Sequence, residues 1–504
     1  MTDQTSGSAD GSAEHSQVRV RFAPSPSGDL HVGNIRTALY DWAYARHTGG
    51  TFVFRIEDTD RSRVTDEYIH AAIESLRWLG LHWDEGPEVG GPHGPYLQSR
   101  RREIYAEWVQ RFLDEGHAYR CYATPEELQA LREEQKARGV PPGYDNRGRY
   151  LTRERIAAYE AEGRKPAIRF RMPEGQSVVH DTIRGEVTFE HSTIPDFILV
   201  RADGYPLYNL AVSIDDVLMK ITHIVRGDDL LASTPRQMAV YAAMGVAPDN
   251  FPEFAHLPYV LGHDGQPLSK RHGSVSVSWY RQHGFLPEAL VNYLALLGWS
   301  PGEDREIFTL EEMARDFTLE RVNKNAARFD IKKLEAVNGA KIRALEPARF
   351  ADRILPFLET AGIVANPPSE AEQELVQQAA PLVQERVGHL TEAVELLGFL
   401  FVDERHFTVE PESASRALTK DSQPVLEAAQ TALGELGAWT TAEIAAALRK
   451  ALVDGLGLKP KHAFGPVRVA VTGRRVSPPL FESLELLGRE RALGRLERAL
   501  RVIG

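Results

Sequence analysis

The segment from Val18 to Ile56 constrains the fold of this chain more than any other. Its first residues, 18–22, alternate between apolar and basic side chains, which is the period of a strand. A loop rich in proline and glycine leads to apolar residues at helical spacing over 35–43, and a Gly-Gly pair ends that helix. Residues 51–56 are again rich in β-branched and aromatic side chains. Strand, loop, helix and strand in this order predict the opening βαβ unit of a parallel sheet.

The same sheet pattern returns after a long interruption. From residue 92 to residue 204, helical stretches alternate with short strands, which predicts an inserted α+β domain. A strand over 221–225, a helix starting next to Pro235 and a strand over 254–261 then resume the sheet. Beyond Gly339 the periodicity is almost purely helical. The predicted fold class is therefore α/β, with a split Rossmann-type domain, an α+β insertion and a following all-α region.

Composition narrows the class of protein. The 504 residues include 42% hydrophobic and 26% charged side chains, which suits a globular chain of about three or four domains. No apolar run approaches the roughly 20 residues of a membrane span. Residues 1–17, rich in serine, glycine and aspartate, predict a disordered tail and no secretory signal. A single cysteine, Cys121, excludes an internal disulfide and a zinc site built mainly from cysteines. We therefore expect a cytoplasmic protein.

The net charge of -12 argues against a nonspecific nucleic-acid binder, although phosphate contacts need only local basic patches. Two clusters of basic residues are candidates, and for each a solvated charged face is an equally good interpretation. The first contains Arg321, Lys324, Arg328, Lys332, Lys333, Lys341 and Arg343, and the second contains Lys459, Lys461, Arg468, Arg474 and Arg475.

The loop from Arg21 to Asn34 is the first candidate for chemistry. It lies between a predicted strand and the amino end of a helix, where free backbone N–H groups and the helix dipole favour a phosphate. Gly33 would allow a nucleotide close to the backbone, and His31 could donate to a phosphate oxygen as charge moves onto pyrophosphate. An ordinary βα loop with a surface histidine shares these features, so the loop alone does not decide.

A second candidate loop runs from Gly265 to Gly273, directly after a predicted strand. Lys270 and Arg271 in this glycine-bounded loop would suit a triphosphate. A lone Ser-Lys-Arg triplet is weak support, since most such triplets are exposed loop charges. In open α/β sheets, however, ligands bind beyond the carboxyl ends of the strands, and there both loops could meet.

Together the two loops resemble the two signatures of class I aminoacyl-tRNA synthetases. His31-Val-Gly-Asn34 stands where that class has His-Ile-Gly-His, and Leu268-Ser-Lys-Arg271 stands where it has Lys-Met-Ser-Lys-Ser. Further segments, in family order from Val18 to Gly339, narrow the resemblance to the glutamyl-tRNA synthetase family. They are Arg21-Phe-Ala-Pro-Ser-Pro, Phe54-Arg-Ile-Glu-Asp-Thr-Asp60, Gly90-Gly-Pro-His-Gly-Pro-Tyr96, Asp203-Gly-Tyr-Pro-Leu-Tyr208 and Ile224-Val-Arg-Gly-Asp228.

The resemblance implies a binding site for glutamate, which carries two carboxylates and one ammonium. Arg21 and Arg226 match the family positions that read the side-chain carboxylate, and charge-assisted contacts suit that role. Tyr208 would add a hydroxyl donor. Glu57, with Ser25, matches the positions that hold the ammonium, and capping or solvent exposure near a strand end is the alternative for Glu57. Glutamine would be rejected because its neutral amide leaves two buried cations undercompensated.

The resemblance also implies a two-step reaction with ATP and Mg²⁺. The α-carboxylate of glutamate attacks the α-phosphorus of ATP, and the terminal ribose hydroxyl of tRNA then takes the acyl group. Catalysis by positioning and by neutralising phosphate charge needs no nucleophilic side chain, and magnesium is held largely by phosphates and water. The catalytic and ATP-binding positions implied are His31, Gly33, Asn34, Ser269, Lys270 and Arg271.

Three departures from the family pattern have consequences. Asn34 replaces the second histidine of the class signature, as related synthetases tolerate. Pro267 replaces the first lysine of the second signature, which leaves Lys270 as the main cation. Cys121-Tyr-Ala stands where zinc-containing relatives have Cys-Tyr-Cys, so we predict no structural zinc.

The resemblance assigns functions and partners to the predicted domains. The chain would be a monomer that binds tRNA-Glu, with no membrane contact, and the sequence leaves open whether it also charges tRNA-Gln. Arg386 resembles a family arginine that meets the last anticodon base, although an arginine on a helix surface fits as well. The expected division is a tail (1–17), a catalytic domain (18–91 and 205–261), an inserted domain for the tRNA acceptor end (92–204), a connecting domain with the Lys270 loop (262–338) and a helical anticodon-binding region (339–504).

Three other assignments stay open at this point. A glutaminyl-tRNA synthetase shares the core, but its relatives usually carry a β-barrel anticodon module, whereas the pattern after Gly339 is helical. A glutamyl-queuosine tRNA synthetase would lack this long helical half. A non-catalytic tRNA-binding paralogue would not need intact His31, Lys270, Arg21 and Glu57.

Overall fold

The computed structural model describes residues 17–60, 64–269, 271, 275–302 and 304–503, so the expected tail lies almost entirely outside the described residues. The chain divides into two compact units. The first contains Met1–Trp279 and Val291–Asp330, and the second contains Tyr280–Leu290 and Ile331–Gly504. The helical region therefore begins before the expected residue 339, and the expected connecting domain 262–338 is divided between the two units.

Strands and helices are interspersed along the chain as far as residue 328. The strands are β1 (Arg19–Phe22), β2 (Thr51–Phe54), β3 (Ala118–Cys121), β4 (Ala167–Phe170), β5 (Gln176–Asp181), β6 (Gly185–Glu190), β7 (Ile198–Val200), β8 (His223–Gly227), β9 (Glu253–Leu257), β10 (Val260–Leu261) and β11 (Ala327–Arg328). The helices of this stretch are α1 (Val32–Thr48), α2 (Asp66–Trp78), α3 (Arg102–Asp114), α4 (Pro125–Ala137), α5 (Arg153–Ala161), α6 (Tyr208–Leu218), α7 (Thr234–Ala243), α8 (Val277–Gln282), α9 (Pro287–Ala295) and α10 (Leu310–Asp316).

A six-stranded sheet forms the centre of the first unit, in the order β2-β1-β8-β9-β5-β6. Its neighbouring strands are parallel, except for the antiparallel pair of β5 and β6. β1, α1 and β2 confirm the predicted opening βαβ unit, with Val20, Phe52 and Ile224 fully buried. Because β1, β8 and β9 are parallel neighbours, their carboxyl ends lie at one edge of the sheet, where ligands of such folds bind.

Two strands of this sheet come from the segment expected as a separate insertion. β5 and β6 pair with each other, and β5 joins β9 through Asp181 and Phe254. Residues 176–190, expected within the insertion 92–204, therefore lie in the six-stranded sheet. Pairing with a strand more than 70 residues further along the chain leaves no local signal in the sequence. The rest of the insertion does contain its own antiparallel sheet, in the order β3-β4-β7.

The predicted strand over 254–261 is two strands, β9 and β10. Pro258 lies between them and has no N–H to donate to a neighbouring strand, so pairing stops there. β9 continues the six-stranded sheet, whereas β10 pairs with β11. The turn at Pro258, between β9 and β10, brings the chain from the edge of the six-stranded sheet toward the second signature loop.

The second unit is built from helices that share one apolar core. Phe350, Ile354, Leu397 and Leu426 are fully buried in this core. The described part of this unit contains no strand, as the sequence pattern predicts. Its helices are α11 (Ile331–Arg343), α12 (Pro347–Thr360), α13 (Glu370–Ala379), α14 (Pro381–Gln384), α15 (Glu392–Phe401), α16 (Pro411–Ala417), α17 (Gln423–Gly434), α18 (Thr441–Leu448), α19 (Pro460–Thr472), α20 (Leu480–Leu487) and α21 (Arg489–Ile503).

Across the described residues of both units, none of the helices combines the length and the hydropathy that a membrane crossing requires.

Candidate active-site cavity

A cavity of about 500 Å³ opens at the carboxyl ends of β1, β8 and β9. The residues that line it come from the end of each strand, from the start of α1 and from the loop after β10. They include Phe22, Pro24, Gly227, Leu257, Tyr259, Pro267 and Leu268. The cavity thus occupies the edge of the sheet at which the sequence places a ligand.

The two signature loops meet at this cavity. The segment after the second loop pairs with the first, since Val32 N donates to Val275 O over 2.9 Å and Val277 N donates to Leu30 O over 3.1 Å. Leu268 joins the cavity wall. This confirms the predicted meeting for the described part of both loops. Lys270 lies outside the described residues.

His31 caps the amino end of α1. The backbone N–H of Gly33 donates to Nδ1 of His31 over 3.0 Å, so Nδ1 is the acceptor and the neutral ring carries its hydrogen on Nε2. A Cβ on residue 33 would lie 3.2 Å from that Nδ1, which explains why glycine suits this position. His31, Gly33 and the exposed Asn34 line the cavity beside a helix end that favours an anion.

One side of the cavity is a closed network of charges. Nε of Arg21 donates to Oδ1 of Asp216 over 3.1 Å, and Nη1 of Arg55 donates to the same oxygen over 2.8 Å. Nη2 of Arg55 also donates to Oε1 of Glu57 over 3.1 Å. None of the four residues is more than 8% exposed. Two cations and two carboxylates therefore compensate each other in a nearly dry environment.

Burial and pairing compete within this network. Burial alone would raise the pKa of Asp216, but Arg21 and Arg55 outweigh it and the pKa of that carboxyl is lowered. For Glu57 burial prevails, and its pKa is raised although Arg55 and Arg21 oppose the change. Asp41 of α1 is fully buried, and its oxygens have no hydrogen-bond partner within the part of the chain that the structure describes. Burial raises the pKa of Asp41 well above its usual value, so its neutral form is favoured.

Arg226, at the end of β8, has a different environment. It is 4% exposed, and no carboxylate of a described residue is paired with it. Its Nε donates to Nε2 of His256 over 3.0 Å. Its Nη1 donates to Oε1 of Gln237, and its Nη2 donates to Oγ1 of Thr234, both over 2.8 Å. These short contacts all use neutral acceptors, so the positive charge stays uncompensated.

The two remaining contacts of Arg226 are long and face the cavity. Nη1 lies 3.4 Å from the hydroxyl of Tyr208, and Nη2 lies 3.4 Å from the carbonyl oxygen of Leu230. Tyr208 and Leu230 line the cavity, whereas the three partners at short distance do not. One hydrogen on each Nη is therefore weakly held, and two such hydrogens on one guanidinium suit a bidentate carboxylate. A buried cation without a counter-charge is costly, and a ligand carboxylate would remove that cost.

The structure brings together most of the site residues that the sequence predicts. Three predicted residues do not line the cavity: Ser25 and Arg271, which are exposed, and Ser269, which is half-buried. The predicted residues that line the cavity are Arg21, His31, Gly33, Asn34, Glu57, Tyr208 and Arg226.

Sequence reasoning missed the two groups at the centre of the charge network, Arg55 and Asp216. One signal was present, because Asp215 and Asp216 interrupt an otherwise apolar helix, where a solvated face does not fit. Both aspartates are fully buried. Their partners could not be inferred, since Arg55 and Asp216 are 161 positions apart.

Cys121 is buried, and its Sγ lies 3.3 Å from the hydroxyl of Tyr144. Within the described residues, no group of three or more His, Cys, Asp or Glu side chains is placed to hold a metal ion. The absence of structural zinc stays a prediction, and a metal assay on the purified protein that finds one tightly bound zinc per chain would contradict it.

Arg386, in the second unit, is exposed, and its Nη1 donates to Ser477 O over 3.1 Å. Arg468 donates to the hydroxyl of the same serine over 2.7 Å. Burial lowers the pKa of Arg468, and the charge of Arg386 lowers it further. Within the described ranges neither arginine forms an ion pair, so the two make a small basic surface.

Comparison with protein families divides the chain at nearly the same place as the structure does. Residues 17–336 match the catalytic domain of the class I tRNA synthetases for E and Q, and residues 349–500 match an anticodon binding domain.

Individual relatives are similar over almost the whole chain. A glutamate–tRNA ligase of a Nocardioides species is 54% identical over 96% of this chain and 98% of its own length. The glutamate–tRNA ligase of Saccharopolyspora erythraea is 52% identical over 99% of both chains. Among solved structures, a glutamate tRNA ligase from Elizabethkingia meningosepticum in complex with its amino acid has a TM-score of 0.83 and 33% identity, over 97% of this chain and 100% of that chain.

Proposed function

This chain belongs to the glutamate–tRNA ligase family of class I tRNA synthetases, and on that premise we propose how its cavity joins L-glutamate to tRNA at the expense of ATP. The reaction has two steps. The α-carboxylate of glutamate attacks the α-phosphorus of ATP to form glutamyl-adenylate and pyrophosphate. The terminal ribose hydroxyl of tRNA then takes the glutamyl group. The observation that carries the proposal is Arg226, a buried cation on the cavity wall whose close partners are all neutral.

The side-chain carboxylate of glutamate would bind Arg226. It would replace the two 3.4 Å contacts, one on each Nη, with short charge-assisted bonds. Tyr208, freed from its long contact, would donate its hydroxyl hydrogen to the same carboxylate. Arg21 would contribute less, because Asp216 already compensates much of its charge. Glutamine offers no negative charge and would leave Arg226 uncompensated, which is the basis for discrimination.

The ammonium of glutamate would bind at Glu57. This carboxylate lines the cavity and accepts from Arg55 through Oε1. Because burial raises the pKa of Glu57, a nearby ammonium would favour its charged form. Ser25, assigned to the ammonium with Glu57, is exposed and gives this role little support.

The phosphates of ATP would lie at the amino end of α1. Nε2 of His31 is buried and carries the ring hydrogen, which it would donate to a phosphate oxygen, and the glycine and asparagine that follow in the signature line the same cavity. These groups would stabilise charge as it moves onto pyrophosphate. Lys270, which lies outside the described residues, together with Ser269 and Arg271, stays the proposed second half of this clamp.

Magnesium would enter with ATP and be coordinated mainly by phosphate oxygens and water. Asp229 is an exposed carboxylate in the cavity wall, and its oxygens suit a hard cation of this kind. The chain's own contribution to the step is to orient the α-carboxylate of glutamate toward the phosphorus atom and to hold the charge of the leaving group.

The second unit would bind the anticodon of tRNA-Glu, with Arg386 close to its last base. The basic surface of Arg386 and Arg468 supports this role, because it offers charge that no described carboxylate neutralises. If Arg386→Gln leaves the preference between tRNA-Glu and tRNA-Gln unchanged, the assignment of Arg386 fails. A cytoplasmic location and a monomeric state complete the proposal.

The function is tested by aminoacylation with purified protein, ATP, magnesium and labelled glutamate, run separately with tRNA-Glu and tRNA-Gln. Charging of tRNA-Glu alone is the expected result for a discriminating enzyme. Charging of both tRNAs would support the proposed two-step reaction and would show that the second unit does not discriminate between them. Charging of neither by a well-folded sample would overturn the proposal in favour of a non-catalytic paralogue.

A further inference from the structure

Behind Arg226, away from the cavity, lies a buried histidine that the proposed chemistry does not use. His256 of β9 is fully buried, and its ring stacks on Phe254 with the centroids 6.2 Å apart. Its Nε2 lies 3.0 Å from Nε of Arg226, and its Nδ1 lies 2.6 Å from Oδ2 of Asp181. Three neighbouring strands, β8, β9 and β5, thus contribute one residue each to a chain of hydrogen bonds that ends at the substrate cavity.

The chemistry of the partners fixes the donor in each bond. Nε of Arg226 always carries a hydrogen, so Nε2 of His256 must be the acceptor. The hydrogen of the neutral ring is then on Nδ1 and is donated to Asp181. Burial lowers the pKa of His256, although the hydrogen bond to Asp181 opposes it, and Arg226 and Asp228 are the other charged groups that act on the ring. The ring is therefore neutral over the physiological pH range.

Asp181 is anchored independently of the ring. Its Oδ1 accepts from the backbone N–H groups of Ile183 over 3.0 Å and Arg184 over 2.8 Å, and its Oδ2 accepts from the backbone N–H of His256 over 3.0 Å. Burial would raise the pKa of Asp181, but the hydrogen bond from the His256 ring, together with the backbone bonds from Arg184 and His256, outweighs it and lowers that pKa. Its negative charge is thus fixed in place, one imidazole away from Arg226.

We propose that His256 and Asp181 are positioning residues for Arg226 in the binding of glutamate; this rests on the proposed function. The ring holds Nε of Arg226, so that both Nη groups turn toward the cavity. The neutral ring also separates the charge of Asp181 from the guanidinium. A carboxylate in direct contact would compensate Arg226, as Asp216 compensates Arg21, whereas the imidazole fixes its direction and leaves its charge to the substrate.

Asp181→Asn changes the hydrogen position without changing the size of the side chain. The backbone N–H groups of Ile183 and Arg184 donate to Oδ1, and that of His256 also reaches it over 3.3 Å, so these three donors would keep the amide oxygen on that side. The NH₂ would then face the ring of His256. The ring would then accept on Nδ1 and carry its hydrogen on Nε2, against the N–H of Arg226. Two donors cannot share this contact, and we expect the guanidinium to turn away from the cavity.

The test measures the KM for glutamate, the KM for ATP and kcat by ATP–pyrophosphate exchange in the presence of tRNA-Glu. Asp181→Asn and His256→Leu are expected to raise the KM for glutamate about tenfold or more, with the KM for ATP within about twofold. His256→Gln retains an amide oxygen that can accept from Arg226, and it is expected to recover most of the glutamate affinity. Asp196→Asn is the matched control, because Asp196 is fully buried and accepts from Tyr119 and Arg149, and neither is a partner of His256 or Arg226.

The control should lower the thermal midpoint and leave the KM for glutamate unchanged. The inference is overturned if Asp181→Asn and His256→Leu leave the KM for glutamate unchanged, if they raise both KM values alike, or if His256→Gln recovers nothing. Should Asp181→Asn not fold, the comparison of His256→Leu with His256→Gln decides the outcome by itself. An inactive wild-type protein would overturn the proposed function, and the inference with it.

Discussion

Two buried arginines on the cavity wall are surrounded in opposite ways. Arg21 is held by the carboxylate of Asp216, which Arg55 shares, and Arg55 is held in turn by Glu57. Arg226 is equally buried, but its close partners are an imidazole, an amide and a hydroxyl. The first arrangement is complete within the described chain, and the second lacks a negative charge.

The difference separates residues that stabilise the fold from Arg226, which we propose binds the substrate carboxylate. A compensated network stabilises the protein around it, because removing any member leaves a buried charge unpaired. An uncompensated cation costs stability and is retained where a ligand supplies the missing charge. The two sides should therefore respond to mutation with opposite balances of stability and activity.

Asp216→Asn should produce the largest effect, on stability. The substitution leaves Arg21 and Arg55 with Glu57 as the remaining carboxylate of the network. Breaking a buried ion pair costs about 3–5 kcal/mol, and we expect the free energy of unfolding of the first unit to fall by that amount. Denaturant unfolding measures it, with Asp249→Asn, a change at an exposed carboxylate, as the control expected to stay within about 0.5 kcal/mol. Equal stabilities of the two variants would mean that the charge network does not stabilise the first unit.

Arg226→Gln should have the opposite effect to Asp216→Asn, with a large loss of activity and no loss of stability. Loss of a buried, charge-assisted contact to the substrate costs about 2–5 kcal/mol, or roughly 30- to 4,000-fold in kcat/KM for glutamate. The free energy of unfolding should stay the same or rise, because an uncompensated cation has been removed. Arg226→Lys keeps the charge without the bidentate geometry, so its kcat/KM for glutamate should lie between those of the wild type and Arg226→Gln. A strong loss of stability in Arg226→Gln would break the distinction between the two sides.

Asp41→Asn should give the smallest effect, and its sign depends on pH. Burial raises the pKa of Asp41, with Arg21 opposing and Asp216 adding to the rise. The folded state therefore holds the proton more tightly than the unfolded chain, and stability falls as pH rises above the unfolded value of about 3.9. We expect the variant to be more stable by about 1–3 kcal/mol at pH 7.5, with the gain shrinking toward pH 4. A variant that is less stable at pH 7.5 would show that Asp41 is ionised and paired.

The sequence predicted the elements better than their pairing. Alternation over residues 18–22 and helical spacing over 35–43 are local, and β1 and α1 formed where expected. The place of β5 and β6 in the sheet depends on contacts with β9, and no local pattern records such contacts. The second unit resumes at Ile331, which the sequence did not predict. The helical pattern of α11 does not show that its apolar face packs in the core of the second unit.

The candidate site divides in the same way. Residues within the two signatures, such as His31 and Asn34, could be proposed because they match a family motif, and both line the cavity. Asp216, His256 and Asp181 could not be assigned from the sequence. Asp216 and His256 contact arginines 195 and 30 positions away along the chain, and Asp181 acts on Arg226 only through His256. A sequence pattern identifies the groups that face a ligand, whereas the groups that set their charge and direction become visible only in the folded chain.

The most direct test of the contrast between Arg21 and Arg226 is a crystal structure of the protein with L-glutamate bound. We predict that the side-chain carboxylate lies within hydrogen-bond distance of both Nη atoms of Arg226, with the long contacts to Tyr208 and Leu230 rearranged and the Arg21–Asp216 pair intact. A carboxylate bound to Arg21 in place of Asp216, with the surroundings of Arg226 unchanged, would contradict this prediction.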